Sequence, residues 1–119
     1  MKGYKVFRIR DGKMTSLFGK CGAGSEVEYQ LIYKPHEKTY RKINCGGIAV
    51  FDELEDAIDY YLFTYFFGNE SVIYGVEYKR STKEMFMYYA GLKFEPRPSY
   101  IPDGTKYADW IIPTNKIEV

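Results

Sequence analysis

The sequence predicts one small α+β domain spanning 1–119: an antiparallel sheet of five or six strands with one main helix, at about 53–67, packed on one face. Three observations carry this. Apolar and polar residues alternate in several short runs, the pattern of half-buried strands. Turn dipeptides separate those runs at hairpin spacing. Only one segment carries apolar residues at helical spacing behind an acidic N-terminal turn. At 119 residues the chain has the commonest domain size, and it holds no internal repeat, low-complexity tract or linker that would divide it.

Residues 4–10 form the first expected strand, with Tyr4, Val6 and Arg8 on one face and Lys5, Phe7 and Ile9 on the other. Asp11-Gly12 is a two-residue hairpin signal, and 13–18 completes the pair. A glycine-bearing loop at 19–25 precedes a second alternating run, Val27, Tyr29, Leu31 and Tyr33. The polar stretch 34–44 then reads as a loop. Ile48-Ala49-Val50-Phe51 is a short apolar strand feeding the helix. Asp52 suits the N-cap, with Glu55 three residues on as in a capping box, and Glu53, Glu55 and Asp56 sit where the helix dipole favours anions. The expected buried stripe is Leu54, Ala57, Ile58, Tyr61, Leu62 and Tyr65, widened by Phe63, Phe66 and Phe67, so that the helix is covered on more than one side. Gly68-Asn69 closes it.

The clearest strand is 72–79. Residues 85–94 are expected to be its hairpin partner, with a helical reading of 83–90 as the alternative. Glu95-Pro96-Arg97-Pro98 ends that element, because proline removes a ladder donor. Asp103-Gly104 marks another turn, and 107–112 is a last short strand before Pro113 and a polar tail.

Composition excludes several classes. With 45% apolar and 28% charged residues, the chain is neither disordered nor unusual for a globular protein. A net charge of +1, from 17 basic and 16 acidic side chains, argues against general nucleic-acid binding, which needs a basic excess. Two isolated cysteines, Cys21 and Cys45, with one histidine cannot make a four-ligand zinc site. The longest apolar stretch, around 60–67, is too short to span a bilayer, and no apolar core of signal-peptide length precedes the first strand. A cytoplasmic protein with reduced thiols is expected. The 13 Tyr and 8 Phe are explained most simply by amphipathic tyrosines covering a sheet rim; a tyrosine-rich contact surface is compatible with that.

No motif points to catalysis, a metal or a cofactor. The loop at 19–25 is followed by a strand, not by the helix that a phosphate loop requires. Cys45 and His36 could form a thiol–imidazole pair, but two such residues on one loop commonly coincide without chemistry. The acidic cluster at the helix start is explained by the dipole. The segment 34–42 is the best candidate: Lys34, Lys38, Arg41 and Lys42 face a single Glu37, with Tyr40 between them and His36 titratable. Basic groups with an interleaved aromatic suit a phosphate beside a stacked base, and the competing reading is a solvated hairpin tip. Arg8, Arg10 and Arg97 are further anion-binding candidates because guanidinium fixes an anion's orientation. Asp109 beside Trp110 is a candidate to hydrogen-bond a ligand.

Tyr4-Lys5-Val6-Phe7, the run Gly46-Gly47-Ile48-Ala49-Val50-Phe51-Asp52-Glu53-Leu54-Glu55-Asp56-Ala57, and Val76-Glu77-Tyr78 resemble small proteins carried by phages and mobile elements. The shared residues are structural, touch about half of the chain and include no catalytic group. The resemblance implies a protein that works by binding. Two readings follow: sequestration of an anionic, nucleotide-like signalling molecule to counter host defence, or inhibition of a host protein through a tyrosine-bearing sheet face. Turnover of a nucleotide ranks third, for want of a metal set or a nucleophile–base pair. A homo-oligomer is expected, both because so short a chain leaves little room for a deep pocket and because the aromatics outnumber what one helix can cover.

Overall fold

The structure is a computed structural model in which residues 1–16, 31–41, 47–66, 68, 70–81, 87–89, 92–94 and 102–119 are described. It contains strands β1 (Lys2–Arg10), β2 (Lys13–Ser16), β3 (Ile32–Tyr33), β4 (Thr39–Tyr40) and β5 (Ile48–Phe51), helix α1 (Leu54–Phe66), and strands β6 (Ser71–Arg80), β7 (Met87–Tyr89), β8 (Leu92–Phe94) and β9 (Thr105–Ile117). The α+β class and the helix packed on an antiparallel sheet are as the sequence predicts. The main sheet has seven strands, and β7 pairs with β8 apart from it.

Asp11 and Gly12 both take positive φ, 53° and 75°. That is the geometry of the primed hairpin turn, whose twist matches the strands it joins. Beyond this hairpin, the connectivity departs from the expected chain of hairpins. β6 lies between β1 and β9, pairing Lys2–Arg8 through Glu77–Ser71 on one edge and β9 from Ala108 to Ile117 on the other. The far edge of β9 carries β5, with Ile48 opposite Ala108 and Phe51 opposite Thr105. β5 returns to the far edge of β1 through one pair, Tyr4 and Phe51. Strands β1, β6, β9 and β5 therefore close into a small ring, with β2 and β3 extending one side and β4 the other.

Closure gives two cores, because side chains alternate between faces. Phe7, Ile48, Val50, Val76, Tyr78, Ala108 and Ile111 fill one, with Met14 and Tyr33 added from β2 and β3. Val6, Phe51, Ala57 and Ile73 form the other beneath α1. Lys5 shares the face of Phe7 and is only 4% exposed.

Several expectations are corrected. The segment 107–112 is part of β9, a 13-residue strand that runs through Pro113. Proline is tolerated there because the pairing with β6 shifts register between Tyr74 and Val76, where the ladder is already interrupted. The Thr114 hydroxyl donates to the Gly75 carbonyl at that point, 3.0 Å away. Strand β7, within the segment expected to pair with β6, pairs with β8 instead, since both edges of β6 are occupied. The first helical bond runs from the Ala57 N–H to the Glu53 carbonyl, which puts Glu53 at the N-cap, one residue later than expected. The Asp52 carboxylate instead accepts the Tyr78 hydroxyl. Leu62 and Tyr65, expected in the buried stripe, are exposed. Among the described residues of the helix, only Ala57 and Thr64 turn fully inward, on the side that the sheet covers. Thr64 is buried there without penalty, its hydroxyl donating to the Tyr61 carbonyl at 2.9 Å. Gly68 caps the helix as expected, with φ 80° and its N–H on the Tyr65 carbonyl.

Candidate ligand-binding surface

The segment expected as a basic loop is partly strand. A turn closes at Lys34, whose carbonyl accepts the Glu37 N–H, and the His36 N–H reaches the Pro113 carbonyl at 2.7 Å. His36 itself is exposed with φ 64°. β4 then pairs with β9, Thr39 opposite Ile111 and Tyr40 opposite Trp110. On the other edge of β9, Lys79 also stands opposite Trp110. Directly opposed residues in antiparallel strands share a face, so Tyr40, Trp110 and Lys79 form one row across three strands. The neighbouring row of Thr39, Ile111 and Tyr78 points the other way, into the core.

A bulge sets this arrangement. Lys79 pairs with Trp110 but Arg80 pairs with Ala108, so Asp109 is an extra residue on β9. The insertion lets Ala108 and Ile111, three positions apart, both lie fully buried in one core. It also frees the Asp109 carboxylate for side-chain partners. The Arg41 Nε donates to Asp109 Oδ1 at 3.0 Å, and the Arg41 backbone N–H donates to the Asp109 carbonyl at 2.8 Å. Hydrogen bonding from Ser81, then from Arg41, holds the Asp109 carboxyl below its usual range. The charges of Arg41 and Lys79 act the same way, while burial opposes them.

Lys38 completes the surface. Its Nζ lies 4.3 Å from the Trp110 ring centroid and 5.8 Å from that of Tyr40. Both distances fall within cation–π range. Tyr40 is 61% exposed, so a broad part of its ring faces outward beside the ammonium.

The structure thus brings together Tyr40, Arg41, Asp109 and Trp110 of the expected site residues, with His36 anchored to the same strand at Pro113, three residues along from Trp110. It separates Arg8 and Arg10 from them. Arg8 pairs with Ser71 and Trp110 with Lys79, eight positions apart on β6, or about 26 Å at the rise of a strand. Arg10 lies beyond Arg8, at the β1–β2 turn. One small ligand cannot touch both groups. Lys42 and Arg97 lie outside the described residues, as do the glycine loop and both cysteines. Asp109 is engaged by Arg41 and Ser81, and its side chain remains about a third exposed. Lys79 was not expected at the site. Its place depends on the β6–β9 register, which no local pattern in the sequence encodes.

The surface offers the exposed ring of Tyr40 and the half-buried indole of Trp110, an ammonium lying over both, a second lysine in the same row, and a guanidinium aligned by a carboxylate. Such a set can stack a planar ring and neutralise an anion. Among the described residues, no group of three histidine, cysteine or acidic side chains is placed to hold a metal ion, and no helix is long and apolar enough to cross a membrane. Comparisons with family models, with curated proteins and with solved structures gave no match.

Proposed function

We propose that the chain is a non-enzymatic binding protein that holds a planar, anionic, nucleotide-like molecule on the surface of Lys38, Tyr40, Trp110 and Lys79. The observation that carries this reading is the Lys38 ammonium 4.3 Å from the Trp110 ring centroid, beside the open ring of Tyr40. A base stacks on Tyr40, and its phosphate meets Lys38 and Lys79. Asp109 orients Arg41 so that the guanidinium borders the same anion. Both parts of the ligand matter: rings without charge leave the lysines unused, and inorganic phosphate leaves the aromatic faces bare. In the phage or mobile-element setting that the 46–57 resemblance implies, tight binding would withdraw a host signalling nucleotide.

A thermal-shift series with cyclic nucleotides and ADP-ribose derivatives tests this. Ligand at a hundredfold excess over its dissociation constant stabilises a protein by about 2.7 kcal/mol, several degrees for a domain of this size. The bound molecule should be recovered chemically unchanged after denaturation. No shift with any member of the series would exclude the reading, and a converted product would replace binding with catalysis.

A further inference from the structure

We propose that the outward face of α1 is a docking surface for a basic amphipathic helix of another protein. This inference rests on residues separate from the ligand surface and stands without it.

The C-terminal half of α1 turns Leu62, Phe63, Tyr65 and Phe66 outward, at 52%, 57%, 68% and 85% exposure. Large side chains of this kind each present about 150–250 Å², so the four leave roughly 500 Å² of apolar surface in one patch. That is the size of the largest apolar patch on a typical monomer, which is often a functional one. Tyr60 stacks on Phe63 with ring planes 12° apart, and Tyr61 on Tyr65 with planes 20° apart. The patch is thus a braced surface, pre-ordered for contact.

Its charge decides what fits it. Glu55 and Asp59 are exposed and fall on the same face as Leu62 and Phe66, at steps of four, three and four residues. This line is about 16 Å long, acidic at one end and apolar at the other. α1 contains no lysine or arginine, and Glu70 is exposed just beyond its C-terminus. A second copy is a poor occupant. Antiparallel pairing would place each acidic half against the other helix's C-terminal carbonyls and Glu70, where the dipole is also negative. Parallel pairing would set Glu55 and Asp59 against themselves. The complement is an antiparallel helix with apolar residues in its N-terminal half and lysines or arginines in its C-terminal half, where its own dipole favours them.

The probe is a synthetic helical peptide with leucines in its N-terminal half and lysines in its C-terminal half, compared with a peptide carrying glutamates in place of the lysines. Binding to the full chain is followed by peptide fluorescence anisotropy. The lysine peptide should bind at micromolar concentration and the glutamate peptide at least tenfold more weakly. Phe66→Asp should weaken the lysine peptide about tenfold. The pair Glu55→Lys and Asp59→Lys should reverse the preference between the two peptides. All three sites are exposed, so circular dichroism should show folding intact. Equal binding of the two peptides, no binding of either, or indifference to Phe66→Asp would overturn the proposal. So would light scattering that shows a dimer split by Phe66→Asp, since a second copy would then be the occupant.

Discussion

The Lys5 Nζ donates to the Ala49 carbonyl at 2.7 Å, and it lies 5.7 Å from the ring centroids of both Phe7 and Tyr33. Burial lowers its pKa from 10.5 to about 7. Between those values the unfolded chain binds a proton that the folded chain has released, so stability should rise with pH from about 7 towards 10. Tyr60 and Tyr78 act in the opposite sense at higher pH. Burial, first in both cases, pushes their pKa from 10 to about 12, and the Asp52 hydrogen bond adds to it for Tyr78. Their contribution is complete below pH 10 and is lost as pH climbs to 12. Urea denaturation should therefore show maximal stability near pH 10, a few kcal/mol above pH 7 on the order-of-magnitude conversion of pKa to free energy. Lys5→Met should remove the rise between 7 and 10. Wild-type stability that is flat or falling over that interval would refute the assignment.

Gly3 lies where β1 meets β5. A Cβ there would stand 2.6 Å from the Phe51 carbonyl oxygen and 2.9 Å from the Tyr78 ring. The Phe51 oxygen is backbone and belongs to the strand that closes the ring through a single residue pair. Gly3→Ala should cost about 1–3 kcal/mol, as overpacking does. Gly12→Ala, at a turn with open space but φ 75°, should cost through backbone strain alone, about 1 kcal/mol or more. Guanidinium midpoints for the two variants distinguish closure of the ring from ordinary turn chemistry.

The Arg41–Asp109 pair separates binding from folding. Both side chains are partly exposed, 24% and 32%, so Asp109→Asn should lower stability by no more than about 1 kcal/mol. It should also weaken anion binding by releasing Arg41 from its fixed orientation. Its stabilising effect should be present at neutral pH and fade in acid as the depressed carboxyl pKa is crossed. Stability loss well above 2 kcal/mol would make Asp109 a structural pin, and the bulge would then exist for the fold alone.

Local chemistry was legible in the sequence; closure was not. Asp11-Gly12, the capped helix and β6 were readable because each is fixed by neighbours along the chain. β9 was cut short because Pro113 reads as a stop, and only a register shift against β6 makes it acceptable. The helix stripe was read too wide for a related reason. Apolar residues at Leu62 and Tyr65 fit a buried pattern, yet whether anything covers them depends on where the sheet ends. Lys5 gave no signal, since a lysine alternating with Phe7 and Ile9 looks like an ordinary edge. In the candidate site, Tyr40, Arg41, Asp109 and Trp110 were all named from the sequence, but their contact arises from strand pairing across 68 positions of separation. The same long-range pairing excludes Arg8 and Arg10.

Tyr40→Ala should separate stacking from packing. With most of its ring exposed, its loss should change folding by about 0.5 kcal/mol or less, while a stacked base loses about 1–3 kcal/mol of binding. A fall in stability above about 2 kcal/mol would place Tyr40 in the core of the fold and not in a site.

Trp110 is the only tryptophan in the chain, so selectively excited indole fluorescence reports on the proposed site directly. Titration with cyclic nucleotides and ADP-ribose derivatives should give a saturable change in that fluorescence. Lys38→Ala should shift its midpoint about tenfold, the size of one charged hydrogen bond or cation–π contact, and added salt should shift it the same way. Fluorescence that stays constant across the series, or that changes only linearly and alike in the Lys38→Ala protein, would contradict a nucleotide-like ligand on this surface.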